Sequence, residues 1–135
     1  MMKFILFCGF IAVISAHHHF HQKTPAEIKT AREDCWKELN LSEEQVESMK
    51  KYEYPDEVAI HNAVKCTGLK LDLWCEHEGF HKEDLIVQFG EAATPVINKC
   101  LTKRNEDDTL EKWAWHDWKC LAENGLKEHF KKLEA

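Results

Sequence analysis

Apolar residues recur along this chain three and four positions apart, in short runs separated by polar breaks. That is the period of amphipathic helices rather than of strands. The clearest run joins Leu110, Trp113, Ala114, Trp118 and Leu121, with Asp117 the one polar member of the stripe. The organising stretch runs from Tyr54 to Phe80. Pro55 suits a first helical position, and Asp56 and Glu57 suit the positive end of a helix dipole. Val58, Ala59, Ala63, Val64 and Cys66 then repeat at helical spacing, and Gly68 reads as the stop. Leu69, Leu71, Leu73 and Trp74 follow, then Gly79 and Phe80, as an apolar, aromatic bend.

The flanking segments follow the same logic. Thr24-Pro25-Ala26-Glu27 and Ser42-Glu43-Glu44-Gln45 are capping boxes. The first opens a helix to about Leu39, with Ile28, Ala31, Cys35 and Leu39 on one face. The second opens one showing Val46, Met49 and Tyr52. A helix from about Lys82 to Phe89 presents Leu85, Ile86 and Phe89. Thr94-Pro95 opens the next, and Asp108 reads as the cap of the Trp113 helix. Asn124-Gly125 breaks the chain before a last helix carrying Leu126, Phe130 and Leu133. The pattern predicts an all-α fold, a compact bundle of six or seven short helices, with no strand of useful length.

The first residues read differently. Met1-Met2-Lys3 precedes an apolar run from Phe4 to Ser15, and Ala16 offers a small residue for cleavage. Residues 1–16 are expected to be a signal peptide, since the run is shorter than the roughly 20 residues of a membrane span. Residues 17–23 then form a histidine-rich flexible tail, and 24–135 the helical domain. Removing 16 residues from 135 leaves 119, enough for one domain with its own core. Losing Lys3 takes the net charge from −6 to −7. That acidity argues against nucleic acid and anionic membranes as partners and for a soluble secreted product.

Cleavage also removes Cys8 and leaves Cys35, Cys66, Cys75, Cys100 and Cys120. Secretion favours disulfides, an odd count leaves one thiol over, and the connectivity stays open on sequence alone. A Cys35–Cys66 bond would close a loop of about 30 residues, worth roughly 3–4 kcal/mol in the chain-entropy model.

The helix order, the cysteine spacing and the Tyr54–Phe80 phrase resemble an insect odorant-binding protein of the pheromone-binding and general odorant-binding type. The resemblance spans the whole mature chain. That family typically carries six cysteines bonded first to third, second to fifth and fourth to sixth. Cys35, Cys66, Cys100 and Cys120 match the first, third, fourth and sixth. The second would fall at Asn62 and the fifth at Glu111. Both partners of one bond are therefore missing together, which resembles the four-cysteine "minus-C" subgroup known from flies. The resemblance implies disulfides Cys35–Cys66 and Cys100–Cys120, with Cys75 as a free thiol that has no family counterpart.

The resemblance further implies two disulfides around an internal apolar cavity and a carrier of small hydrophobic molecules such as odorants, pheromones or fatty-acid-like lipids. It would work in sensillar lymph, haemolymph or another fluid, in the perception of smell, with an olfactory receptor as a partner. Apolar and aromatic side chains are the usual wall of such a site. The residues expected there are Met49, Tyr52, Val64, Leu71, Leu73, Trp74, Leu85, Phe89, Trp113, Trp118, Leu121 and Phe130. Tyr52 would offer a hydroxyl to a polar head group. No cofactor, no stable membrane insertion and no enzymatic activity are expected, and the protein reads as a monomer or weak homodimer. The alternative is a non-olfactory haemolymph or seminal interaction protein without a dedicated ligand.

Three further features carry chemistry. A mature start at His17-His18-His19 would give a free amine with histidine in third position, a nitrogen set that suits Cu(II) or Ni(II). His61, His77, His81, His116 and His129 are spread through the domain; as a residue type histidine is either an ordinary exposed or hydrogen-bonded polar group or, in the sharper reading, a switch that opens the cage at acidic pH. The Trp115–Cys120 segment resembles the His-Asp pair of secreted phospholipases A2, but His116 and Asp117 are adjacent on a helix and so are not expected to meet.

Overall fold

The computed structural model describes residues 20–129. The expected signal peptide, His17 to His19, Phe130 and Leu133 lie outside them. Among the described residues there are six α-helices and one short hairpin: α1 Pro25–Glu38, α2 Glu43–Lys50, α3 Val58–Lys70, β1 Trp74–Cys75, β2 Gly79–Phe80, α4 Lys82–Phe89, α5 Thr94–Cys100 and α6 Leu110–Leu121. A 3₁₀ turn, Glu91–Ala93, leads into α5. The fold is all-α.

Both capping boxes close. Thr24 Oγ1 accepts from the Glu27 N–H, and Glu27 Oε1 accepts from the Thr24 N–H, each at 3.1 Å. Ser42 and Gln45 make the same exchange at 2.9 and 3.1 Å. Each satisfies two backbone N–H groups that a helix start leaves open. The cap of α6 is Thr109 rather than Asp108, with Thr109 Oγ1 accepting from the Lys112 N–H at 3.1 Å.

Two boundaries of the organising helix differ from the sequence reading. Its cap is Glu57, and Pro55 stays outside it. Asp56 is drawn away from the helix end by His61, whose Nε2 lies 2.8 Å from Asp56 Oδ1. At the other end the helix runs through Gly68 to Lys70. The stop is Asp72, at φ +57° in the left-handed region, where the Leu73 N–H bonds back to the Gly68 carbonyl at 3.0 Å. Asn40 and Tyr52 take the same conformation after α1 and α2. Gly68 serves packing instead: a Cβ there would sit 2.9 Å from Trp74 Cβ. The expected apolar faces also lose members at their ends, since Val58 in the first turn of α3 and Leu39 beyond the last turn of α1 face solvent.

The bend after α3 is a hairpin, with Trp74 opposite Phe80 and Cys75 opposite Gly79. Two residues a side are too few for alternation to register in the sequence. Gly79 takes φ +73°, and a Cβ there would lie 2.6 Å from Trp113 Cζ2. Trp74 and Trp113 meet edge to face at 6.0 Å. This aromatic block fills the space that the two glycines leave.

Two disulfides cross between helices. Cys35–Cys66 ties α1 to α3, with Cα atoms 5.9 Å apart. Cys100–Cys120 ties α5 to α6 at 5.5 Å. Among the described residues Cys75 is the free thiol. The bundle is organised around the packing of α3 on α6. Ile60, Leu85, Ile97 and Leu121 are fully buried in its core. Asp117 is buried too, because its carboxylate accepts from the Thr102 N–H at 3.1 Å and the Thr102 hydroxyl at 2.7 Å. After α6 the chain kinks at Asn124 and Gly125, the break the sequence marked.

Candidate functional site

A cavity lies inside the bundle between α1, α2, α3, the hairpin and the C-terminal halves of α4 and α6. Ile28 and Arg32 face it from α1, and Met49, Tyr52 and Tyr54 from α2 and the loop after it. Val64, Thr67 and Gly68 come from α3, Leu71, Leu73 and Phe80 from the bend, Gln88 and Phe89 from α4, and Trp118 from α6. The free volume is about 40 Å³. That is far below the roughly 300 Å³ at which small-molecule sites begin, so any guest larger than a few atoms must part the walls.

Seven of the twelve wall residues named from the sequence face this cavity: Met49, Tyr52, Val64, Leu71, Leu73, Phe89 and Trp118. Trp74, Leu85, Trp113 and Leu121 do not. Trp74 and Trp113 are used up in the block around Gly68 and Gly79, and Leu85 and Leu121 belong to the solid core. Phe130 lies outside the described residues. The sequence reading missed Ile28, Arg32, Tyr54, Thr67, Gly68, Phe80 and Gln88 as wall residues. Ile28 was already on the apolar face of α1. Arg32 follows it by four and precedes Cys35 by three, so a charged residue within an apolar stripe was the available signal.

Trp118 joins the two sides of the wall. Its ring lies 5.6 Å from Phe80, 6.2 Å from Phe89 and 6.5 Å from Tyr54, the last edge to face. Most polar atoms around the cavity have partners. Thr67 Oγ1 donates to the Ala63 carbonyl at 2.9 Å. The Gln88 side chain holds both backbone groups of Lys23, accepting from its N–H at 2.8 Å and donating to its carbonyl at 3.0 Å. The N-terminal segment is thereby fastened over α4.

Arg32 is the one charged residue of this wall, and it is buried. Its guanidinium stacks 4.3 Å from the Tyr52 ring and 5.0 Å from the Trp36 ring, and it donates to the Met49 carbonyl. Tyr52 holds a left-handed backbone, φ +59°, which is unusual for so bulky a residue. Arg32 also faces a second hollow. This is an open groove of about 460 Å³ outside α1 and α2, lined by Pro25, Ala26, Lys29, Glu33, Trp36 and Lys50. The groove is the larger space, but it is wide to solvent and carries three other charged residues. The interior cavity is the one whose surface suits an apolar guest.

His116 and Asp117 meet after all: Nδ1 lies 3.0 Å from Oδ1. Adjacent helical positions diverge, yet the long imidazole folds back to the carboxylate beside it. Asp117 already binds Thr102 through both oxygens, and His116 is exposed. The pair anchors the loop before α6.

A bundle of short helices, stapled across its helices by two disulfides around a small aromatic-walled space, defines a class of compact extracellular-type binding domain. The chain belongs to the PBP/GOBP family, whose profile matches residues 17–124. It is 31% identical over 132 residues to odorant-binding protein 22 of Aedes aegypti, covering 93% of each chain. It is 26% identical over 140 residues to general odorant-binding protein 99a of Drosophila melanogaster, covering 98% of this chain and 97% of that one. Among the described residues, no helix is long and apolar enough to cross a membrane.

Proposed function

We propose that this protein is a secreted carrier that takes a small hydrophobic molecule into the space between Ile28, Val64, Leu73, Phe80 and Trp118. The observation that carries this reading is the apolar, aromatic wall closed around a single buried cation, Arg32. Family membership and the names of the relatives support the carrier role. The ligand class that fits best is an aliphatic chain ending in a carboxylate or another strong acceptor. The chain replaces wall–wall contacts, and the head group bonds the guanidinium, whose planar fork matches a carboxylate.

We place the chain with the fly-type "minus-C" members of its family, with four of its cysteines in two disulfides and Cys75 left over. Two disulfides and the non-cysteine residues at Asn62 and Glu111 support this placement. A small free volume inside a cage with one staple fewer describes a site that opens on binding rather than a preformed hole.

The test is displacement of a fluorescent apolar probe from the mature protein by alkanoic acids, alcohols and terpenoids of matched length. Saturable displacement, strongest for the acids, is expected. Failure of the probe and of every competitor to bind would overturn the carrier reading and favour an interaction protein without a ligand.

A further inference from the structure

The tip of the hairpin carries a group of residues that the carrier function does not use. Cys75 is half-buried, Glu78 is exposed and His81 is partly buried, and one ligand atom from each lies within 4.8 Å of the other two. They stand three residues apart, and Asp84 continues the spacing into the first turn of α4. We propose that Cys75, Glu78 and His81 form a divalent metal site, with zinc the ion that this sulfur, nitrogen and oxygen set suits best.

Three observations support the site. Zinc bond lengths place tetrahedral ligand atoms roughly 3.5 Å apart. The three groups therefore need only small side-chain rotations at a surface-accessible tip to reach a common centre. The Glu78 N–H points at Cys75 Sγ at 3.4 Å, and the hairpin that makes this possible depends on Gly79 at φ +73°. His81 Nδ1 lies 3.0 Å from Asp84 Oδ2, the carboxylate partner that orients metal-binding imidazoles.

Three protein ligands leave a fourth position for water or an outside ligand, the open type of zinc site. The ion would sit at the tip of the hairpin that puts Phe80 into the cavity wall, where the His81 N–H is bonded to the Leu73 carbonyl at 2.9 Å. Binding there would fix the segment on which two wall residues stand.

The test uses the mature full-length protein, with one alkylatable thiol confirmed by mass, titrated with Co²⁺ as the spectroscopic stand-in. A thiolate-to-cobalt charge-transfer band in the near ultraviolet, saturating at one equivalent and removed by one equivalent of Zn²⁺, is expected. Cys75→Ser should abolish the band. Asp84→Asn should weaken Co²⁺ binding at least about tenfold, the usual cost of losing an outer carboxylate. Changing His17, His18 and His19 together to Ala should leave the band intact, which separates this site from the tail. Should Cys75→Ser not fold, Glu78→Ala on the exposed tip takes its place, with an expected loss of at least about tenfold. No band in the parent protein, a band that survives Cys75→Ser, or one lost with the tail histidines overturns the proposal.

Discussion

Lys65 Nζ lies 3.0 Å from Glu111 Oε1, joining α3 to α6. Glu111 is one of the two positions where the resemblance places a missing cysteine, and Lys65 stands one helical turn beyond the other, Asn62. An ion pair therefore spans the interface that a third disulfide would otherwise cross. The two ties are unequal. A partly exposed ion pair contributes up to about 1 kcal/mol, whereas closing a loop of this length contributes about 4 kcal/mol in the chain-entropy model.

Asn62→Cys with Glu111→Cys should therefore form a bond and raise the melting temperature over the parent, even after loss of the ion pair. Mass spectrometry of the non-reduced protein and a thermal melt check this. A double variant that keeps two free thiols would show that the two positions do not face one another.

The same pair predicts a pH dependence. The hydrogen bond from Lys65 holds the Glu111 carboxyl below its ordinary value of 4.5. A carboxylate with a lowered folded-state pKa stabilises the fold above its ordinary value, and that contribution is lost as pH falls through the lower one. Glu111→Gln should thus lower stability slightly at neutral pH, by up to about 1 kcal/mol. Parent and variant should converge at pH values below the carboxylate range. Melts across that range decide it; an offset that persists at low pH would mean that the variant acts through packing.

Two glycines with left-handed backbones separate strain from crowding. Gly90 takes φ +93° with open space around it, while Gly79 takes φ +73° against the Trp113 ring. Gly90→Ala should cost about 1–3 kcal/mol, the backbone term alone, because φ +93° with ψ 161° is a region that glycine almost alone adopts. Gly79→Ala should cost clearly more, about 2–4 kcal/mol, because Trp113 cannot move without disturbing Trp74. Denaturant midpoints rank them, and equal losses would contradict the packing role given to the Trp74–Trp113 block.

Arg32→Met keeps much of the side-chain volume and removes the charge. Affinity for decanoic acid should fall about tenfold or more, the value of a charged hydrogen bond, while affinity for decanol should change little. Parallel loss for both ligands would assign Arg32 a structural role only.

What the sequence made legible was the periodic and the local. Capping boxes marked α1 and α2 because the same residues make the same bonds wherever a helix starts. The helical period of Leu110 to Leu121 exposed α6, and Lys82 to Phe89 gave α4. The stops were harder. Asp72 and Tyr52 end helices in a conformation that glycine usually supplies, so Gly68 drew the boundary that belongs to Asp72. The cavity wall was half legible for a related reason. An apolar stripe tells which residues face inward, not which of them meet empty space. Trp74 and Trp113 fill the interior while Trp118, one turn on from Trp113, borders the gap. Arg32 was missed because charge alone argues for the surface, whereas its stack between Trp36 on its own helix and Tyr52 after α2 depends on two separate parts of the chain.

The central claim is that the guest enters the interior and not the open groove outside α1 and α2. A crystal structure of the mature protein with decanoic acid tests it most directly. The account predicts the alkyl chain between Val64, Leu73, Phe80 and Trp118, the carboxylate at Arg32, and a cavity enlarged several-fold beyond its present 40 Å³ or so. Decanoate lying in the outer groove against Lys29 and Lys50, with the interior unchanged, would contradict it.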